Sequence, residues 1–343
     1  LFQALQSGAD ETRWRFKWEH PRFRGKPVDD VDPATLVLSD AQLVIARQDG
    51  FERWDDLVAF TEIVERDGGG ARFEAAVDAV VSGDLETLRS LLRDQPELIR
   101  ARSIRRHHAT LLHYIGANGV EGRRQKTPAN AVDVAKTLLE AGAEPDALAD
   151  MYDANCTTLS MLVSSSPPAE AGLQAALAEL LLDHGAALVG PGSNWQSAVV
   201  TALAFGFTAT AETLAKRSGP IDDVAVAAGL GRLDEAARLF PGSDRHRRQI
   251  ALALAAQHGQ VDVVRLLLDA GEDPSRYNPD GYHAHSTPVH QAVWSNHLEV
   301  VRLLVERGAR LDLRDTVYRG TPLDWAIYGG RTEIADYLRT RST

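Results

Sequence analysis

Histidine and tyrosine crowd one stretch of this chain. Tyr277, Tyr282, His283 and His285 bracket the turn Asn278-Pro-Asp-Gly281. On an extended strand the His283-x-His285 spacing puts both rings on one side. With His290, and with His258 as a further donor, the pair offers the imidazole-only ligand set of a zinc site. The alternative is that these amphipathic rings form a contact surface on a protruding tip, where binding hot spots concentrate. We favour the latter and expect neither metal nor cofactor. A second group is His107, Tyr114 and Asp153, residue types able to share general acid–base work if held within hydrogen-bond reach. Cys156 is the single cysteine. It can form no intramolecular disulfide, which suits a reducing cytoplasm. As a nucleophile it would need a lowered pKa, and nothing nearby in the sequence supplies one. No nucleophile elbow, phosphate-cradling glycine loop, HExxH helix or EF-hand loop occurs. A binding protein is expected before an enzyme.

Charge narrows the partners. The 343 residues carry 37 basic and 48 acidic side chains, a net charge of -11. A phosphate backbone demands the opposite field, so no nucleic-acid partner is expected. Basic clusters do occur: RWRFKWEHPRFRGK near the start, RARSIRR from Arg100, RRQK from Arg123 and RHRR from Arg245. They alternate with acidic helices and are expected to be solvated tips. Hydrophobic residues at 44% and charged residues at 25% are a folded protein's balance. No apolar run approaches the roughly 20 residues that span a bilayer, so no membrane role is expected. The start, LFQALQSGAD, lacks a signal-peptide pattern. It begins without Met, which leaves open residues ahead of Leu1.

The elements that must position these residues repeat along the chain. TPVHQAVWSNHLEVVRLLVERGARLDL from Thr287 aligns with TPLDWAIYGGRTEIADYLRTR from Thr321, an offset of 34 positions. QIALALAAQHGQVDVVRLLLDAGEDPS from Gln249 is a third copy without the Thr-Pro. In each copy Thr-Pro opens a short helix, Pro sitting at the first helical position where its missing N–H costs nothing. Ala255, Ala256 and Ala292 keep that helix thin. Gly259, Asn296 and Gly330 suit a sharp turn. The second helix then carries apolar residues at helical spacing, Val300, Val301, Leu303, Leu304 and Val305 among them.

Through its TPLH-like, GHxEIV-like and LLLxxGAD-like blocks the chain resembles the ankyrin-repeat family. LLEAGAEPDA from Leu138 and LLDHGAAL from Leu181 repeat the last block upstream. The resemblance runs from Ala71 to the end and implies an all-α solenoid of about eight helix-turn-helix repeats. Their first helices would begin near Phe73, Leu111, Leu159, Val199, Asp223, Ile250, Pro288 and Pro322. Insertions at NGVEGRRQKTPANA and SSSPPAEAG are expected to be loops on one face.

Residues 1–70 are expected to be a helical N-terminal cap. Ser39-Asp-Ala-Gln42 would be a capping box, Gly50 a helix stop, and Gly68 to Gly70 a hinge. A polar tail, RTRST, would cap the other end and leave a monomer. SDAQLVIARQDGFERWDDL is similar to the lead-in of a group of bacterial ankyrin-repeat proteins, which implies a bacterial origin.

In such a solenoid a protein or peptide partner meets the hairpin tips and the groove face of the first helices. The positions before each turn glycine then become Phe205, His258, Trp294 and Tyr328. The tips contribute Tyr152, Tyr282, His283, His285 and Tyr318. His290 and His113 sit where the resemblance implies a ring that braces the hairpin. A small molecule held by a closed His, Tyr and Asp pocket near the second and third repeats is the alternative.

Overall fold

Side-chain caps set the helix starts. Asp244 accepts from the Arg247 amide (2.8 Å) to open helix Arg245–Gln257, and Thr321 accepts from Asp324 to open Pro322–Tyr328. Helices Val224–Gly229, Leu233–Leu239, Val261–Asp269, Pro288–Trp294, Leu298–Glu306 and Thr332–Arg339 complete a series of antiparallel pairs. Pro288 and Pro322 occupy first-turn positions, as their spacing predicts. Gly259 makes its turn at φ +73°, where an added Cβ would lie 2.6 Å from the His297 ring. Asn296 adopts φ +63° at the matching turn of the next pair.

The computed structural model describes residues 1–66, 68–193 and 197–341, grouped as two units, Leu1–Thr201 and Ala202–Thr343. Ser342 and Thr343 of the expected polar tail lie outside the described residues. Among the described residues the fold is all-α apart from one hairpin, Ala149–Met151 antiparallel to Ala154–Cys156. In Ala202–Thr343 the core runs from pair to pair through Ala255, Ala256, Val264, Leu267, Ala292, Val301 and Leu304, all fully buried. Each such leucine contributes on the order of 2 kcal/mol of burial. Alanines on the first helices let neighbours approach, so the core is thin and continuous.

Within Leu1–Thr201 the chain start forms its own small core of Leu5, Phe16, Phe23, Val31, Leu36 and Val44. Helix Leu38–Gln48 is capped two residues earlier than the sequence suggests, at Val37. The Asp40 carboxylate accepts from the Val37 amide (2.8 Å), so Ser39 lies inside the first turn. Gly50 ends this helix at φ +81°. The triple glycine is no hinge: Gly68 opens helix Gly68–Ser82, which Phe73, Ala76, Val77 and Val80 hold in place by burial. SSSPPAEAG contains a short helix, Ser166–Glu170, rather than an open loop.

The basic clusters depart furthest from expectation. Arg105 and Arg124 are buried, not tips. Arg105 contacts Glu121 at 2.6 Å and Glu74 at 2.5 Å, while Arg124 contacts Glu74 at 2.6 Å and Glu121 at 3.1 Å. The Arg105 guanidinium also lies 4.3 Å from the centre of the Phe60 ring. This network fastens the first insertion onto helix Gly68–Ser82. Burial alone would raise the Glu121 carboxyl, yet His107 and the Arg105 charge bring it down to about 2.

Candidate functional site

In Ala202–Thr343 the last two pairs and the tip between them present a run of aromatic rings. Tyr318 meets Trp325 edge-on at 6.4 Å, Trp325 meets Trp294 edge-on at 6.0 Å, and Trp294 stacks on Tyr328 at 6.5 Å. His285 packs against both Tyr318 and Trp325. Trp294 and Tyr328 end their helices at equivalent repeat positions, and Tyr328 is 86% exposed. Trp294 is 46% and Tyr318 57% exposed. Contiguous apolar surface left in water is a feature that interaction surfaces share.

Asp315 organises the tip. Its carboxylate accepts from the amides of Val317 (2.9 Å), Tyr318 (2.5 Å) and Gly320 (2.8 Å), and from Trp325 Nε1 (2.9 Å). Burial opposes its charge, but these donors hold its pKa below the ordinary carboxylate value. The sequence reading missed both Trp325 and Asp315. Trp325 was legible, since it lies three residues before Tyr328 on one short helix and so shares its face. Asp315 carried no periodic signal.

His258, His283 and Phe205 form a different corner. His283 Nε2 bonds the Ala204 carbonyl (2.8 Å) and His258 Nε2 bonds the Leu203 carbonyl (2.8 Å), bracing the turn that carries Phe205. Phe205 is half-exposed and stacks on Phe207. Burial lowers the pKa of both histidines. His290 is spent on bracing its own turn to the next tip: Nδ1 accepts from the Thr287 amide (3.3 Å) and Nε2 bonds the Gly320 carbonyl (3.2 Å). Each of these three rings thus spends a nitrogen on a carbonyl, and no group of metal-ligating residues converges among the described residues.

Tyr282 is a correction. It is 4% exposed, turned inward below its tip, and so is a core residue and not a contact. Tyr282→Ala is expected to destabilise the fold by about 3 kcal/mol, visible as a lowered urea midpoint. A change below about 1 kcal/mol would return it to the surface.

In Leu1–Thr201 the acid–base trio does not assemble. His107 and Tyr114 are buried and pack edge-on at 6.1 Å, and both face Glu121. Burial drives the Tyr114 hydroxyl far above its ordinary pKa. Asp153 instead lies at the hairpin tip, paired to Arg24 at 2.7 Å. Asp153, Tyr152 and His108 line an open cleft of about 680 Å³ with Phe51, Ile104 and Arg106, not a closed pocket. Tyr152 is exposed there and bonds Asn118 at 2.5 Å. Cys156 is buried, its thiol pushed up to about 11 by desolvation, so it is a poor nucleophile.

His113 repeats the His290 arrangement, with Nδ1 accepting from the Thr110 amide (3.2 Å) and Nε2 on the Cys156 carbonyl (3.4 Å). Helix pairs with short first helices, bracing histidines and projecting hairpins define a repeat protein. The family model for ankyrin repeats in three copies matches residues 224–315 and 252–342. Human cyclin-dependent kinase 4 inhibitor B is 35% identical over 118 residues, covering 26% of this chain and 85% of that protein. The chain belongs to the ankyrin-repeat family.

Mouse ankyrin repeat and SAM domain-containing protein 6 is 35% identical over 109 residues, 31% of this chain and 12% of that protein. Protein PhlB of Serratia liquefaciens is 34% identical over 96 residues, 28% of this chain and 40% of that protein. The chain thus spans less than half the length of these last two relatives. Most matched relatives are eukaryotic, which gives the bacterial expectation little support. Among the described residues no helix is long and apolar enough to cross a membrane.

Proposed function

We propose that this chain is a protein-binding module whose contact surface is the ring run Tyr318, Trp325, Trp294 and Tyr328, on the groove side of the first helices and the adjoining tip. One observation carries the reading. Two rings stack at equivalent repeat positions, 34 residues apart in sequence, and both remain in water. Core packing does not require them there. Aromatic anchors of this kind supply much of the affinity of protein interfaces. Cyclin-dependent kinase 4 inhibitor B, one relative, is named for a protein target, in keeping with a protein partner. His285 and the Phe205 corner would extend the surface. The finer reading is a cytoplasmic, bacterial monomer of about eight repeats from residue 71, with residues 1–70 as the cap.

The test is partner capture by wild-type chain against Trp294→Ala and Tyr328→Ala. Each variant is expected to weaken capture at least about tenfold. Unfolding free energy should change by less than about 1 kcal/mol, because neither ring is a core residue. Undiminished capture, or a matching loss of stability, would remove the surface from consideration.

A further inference from the structure

Resting on that reading, we infer that the ring run receives an acidic linear segment of its partner carrying bulky apolar side chains. The charges at the rim decide the sign. Two carboxylates lie beside the rings, and both are occupied. Asp315 is buried under three amides and the Trp325 indole. Asp324 accepts from the Thr321 amide and hydroxyl, each at 2.8 Å, and faces Arg314 at 3.6 Å.

The cations are differently placed. Arg331 donates through Nε and Nη2 to the Trp294 carbonyl at 3.2 and 2.9 Å, which fixes its guanidinium at the end of helix Pro288–Trp294. A carbonyl does not neutralise it. Arg319 stands exposed at the left-handed tip position (φ +58°) next to Tyr318. Among the described residues, the ion pairs include none to Arg319 or Arg331. The apolar run is therefore bordered by two guanidinium groups outside those ion pairs, one next to Tyr318 and one on the Trp294 carbonyl, in a chain whose net charge is -11. A basic segment drawn by the overall charge would meet the wrong sign at this surface. An acidic one finds charge-assisted donors beside apolar rings.

The segment's apolar side chains would lie on Trp294 and Tyr328. Its carboxylates would reach Arg319, whose planar fork suits bidentate carboxylate binding, and the Nη1 edge of Arg331, whose Nε and Nη2 already hold the Trp294 carbonyl.

A phage-displayed library of random linear peptides, selected against the full chain, tests this directly. Enriched sequences are expected to combine Asp or Glu with Trp, Phe or Leu. A synthetic peptide of that consensus should bind at least about tenfold more weakly to Trp294→Ala and to Arg319→Glu/Arg331→Glu. Added salt should also weaken it. Arg319→Glu alone serves if the double variant folds poorly, because Arg319 supports no core contact. Enrichment of basic or uncharged sequences, no enrichment at all, or affinity indifferent to charge reversal would each overturn the inference. If the library fails while Trp294→Ala still abolishes partner capture, the binding surface stands and only its acidic-segment specificity falls.

Discussion

Glu121→Ala is expected to destabilise the chain by about 3–5 kcal/mol, because it takes a shared carboxylate away from two buried guanidinium groups. Glu121 is 1% exposed, and one of its oxygens holds Arg105 at 2.6 Å and Arg124 at 3.1 Å. Glu74 would then be the one carboxylate shared by both cations, with Asp78 at 2.7 Å on Arg124 only. Measured by urea denaturation at pH 7, the loss should appear as a lowered midpoint. Glu121→Gln keeps the volume and one acceptor, so it should lose less. The carboxyl's pKa, at about 2, lies below its unfolded value. Its contribution is therefore complete above the unfolded value and is lost as pH falls toward 2. A loss under 1 kcal/mol for Glu121→Ala would show that the insertion is held by something other than this network.

Mild acid should destabilise the fold through two histidines. His113 and His290 are fully buried, and desolvation lowers the pKa of each to about 4. Their partners require neutral rings. Nδ1 faces an amide donor in both, at Thr110 and Thr287, so a second ring proton would meet an N–H. Between pH 6.5 and 4 the unfolded chain takes up protons that the folded chain refuses, so stability is complete above 6.5 and falls through that window. Each ring contributes at most about 3 kcal/mol to the loss. Denaturation midpoints at pH 7.5 and 4.5 measure it, and His113→Asn should flatten the profile. Equal midpoints at the two pH values would mean that the rings titrate freely.

Some of this was readable in advance. Thr-Pro starts, alanine-thinned first helices and the apolar stripe of Leu298–Glu306 express contacts within one pair or with its neighbour, so a short window contains their cause. Half of the bracing by His113 and His290 was local too, since each Nδ1 bonds a residue three positions before it, whereas Nε2 reaches carbonyls 43 and 30 positions on. The groove positions of Trp294 and Tyr328 followed from the same period.

Inward or outward placement of the loop residues was not readable. Tyr282 and Tyr318 both look like tip aromatics, yet Tyr282 is buried while Tyr318 stays in water. RARSIRR and RRQK look like solvated tips, but Glu74, 31 residues from Arg105 and 50 from Arg124, draws one arginine of each inside. His107, Tyr114 and Asp153 share plausible chemistry, but only two of them meet. Spacing in the sequence determined the helix pairs because each pair's stabilising contacts are close along the chain. Tertiary structure alone decided which loop rings and charges are covered, because the groups that cover them come from distant segments.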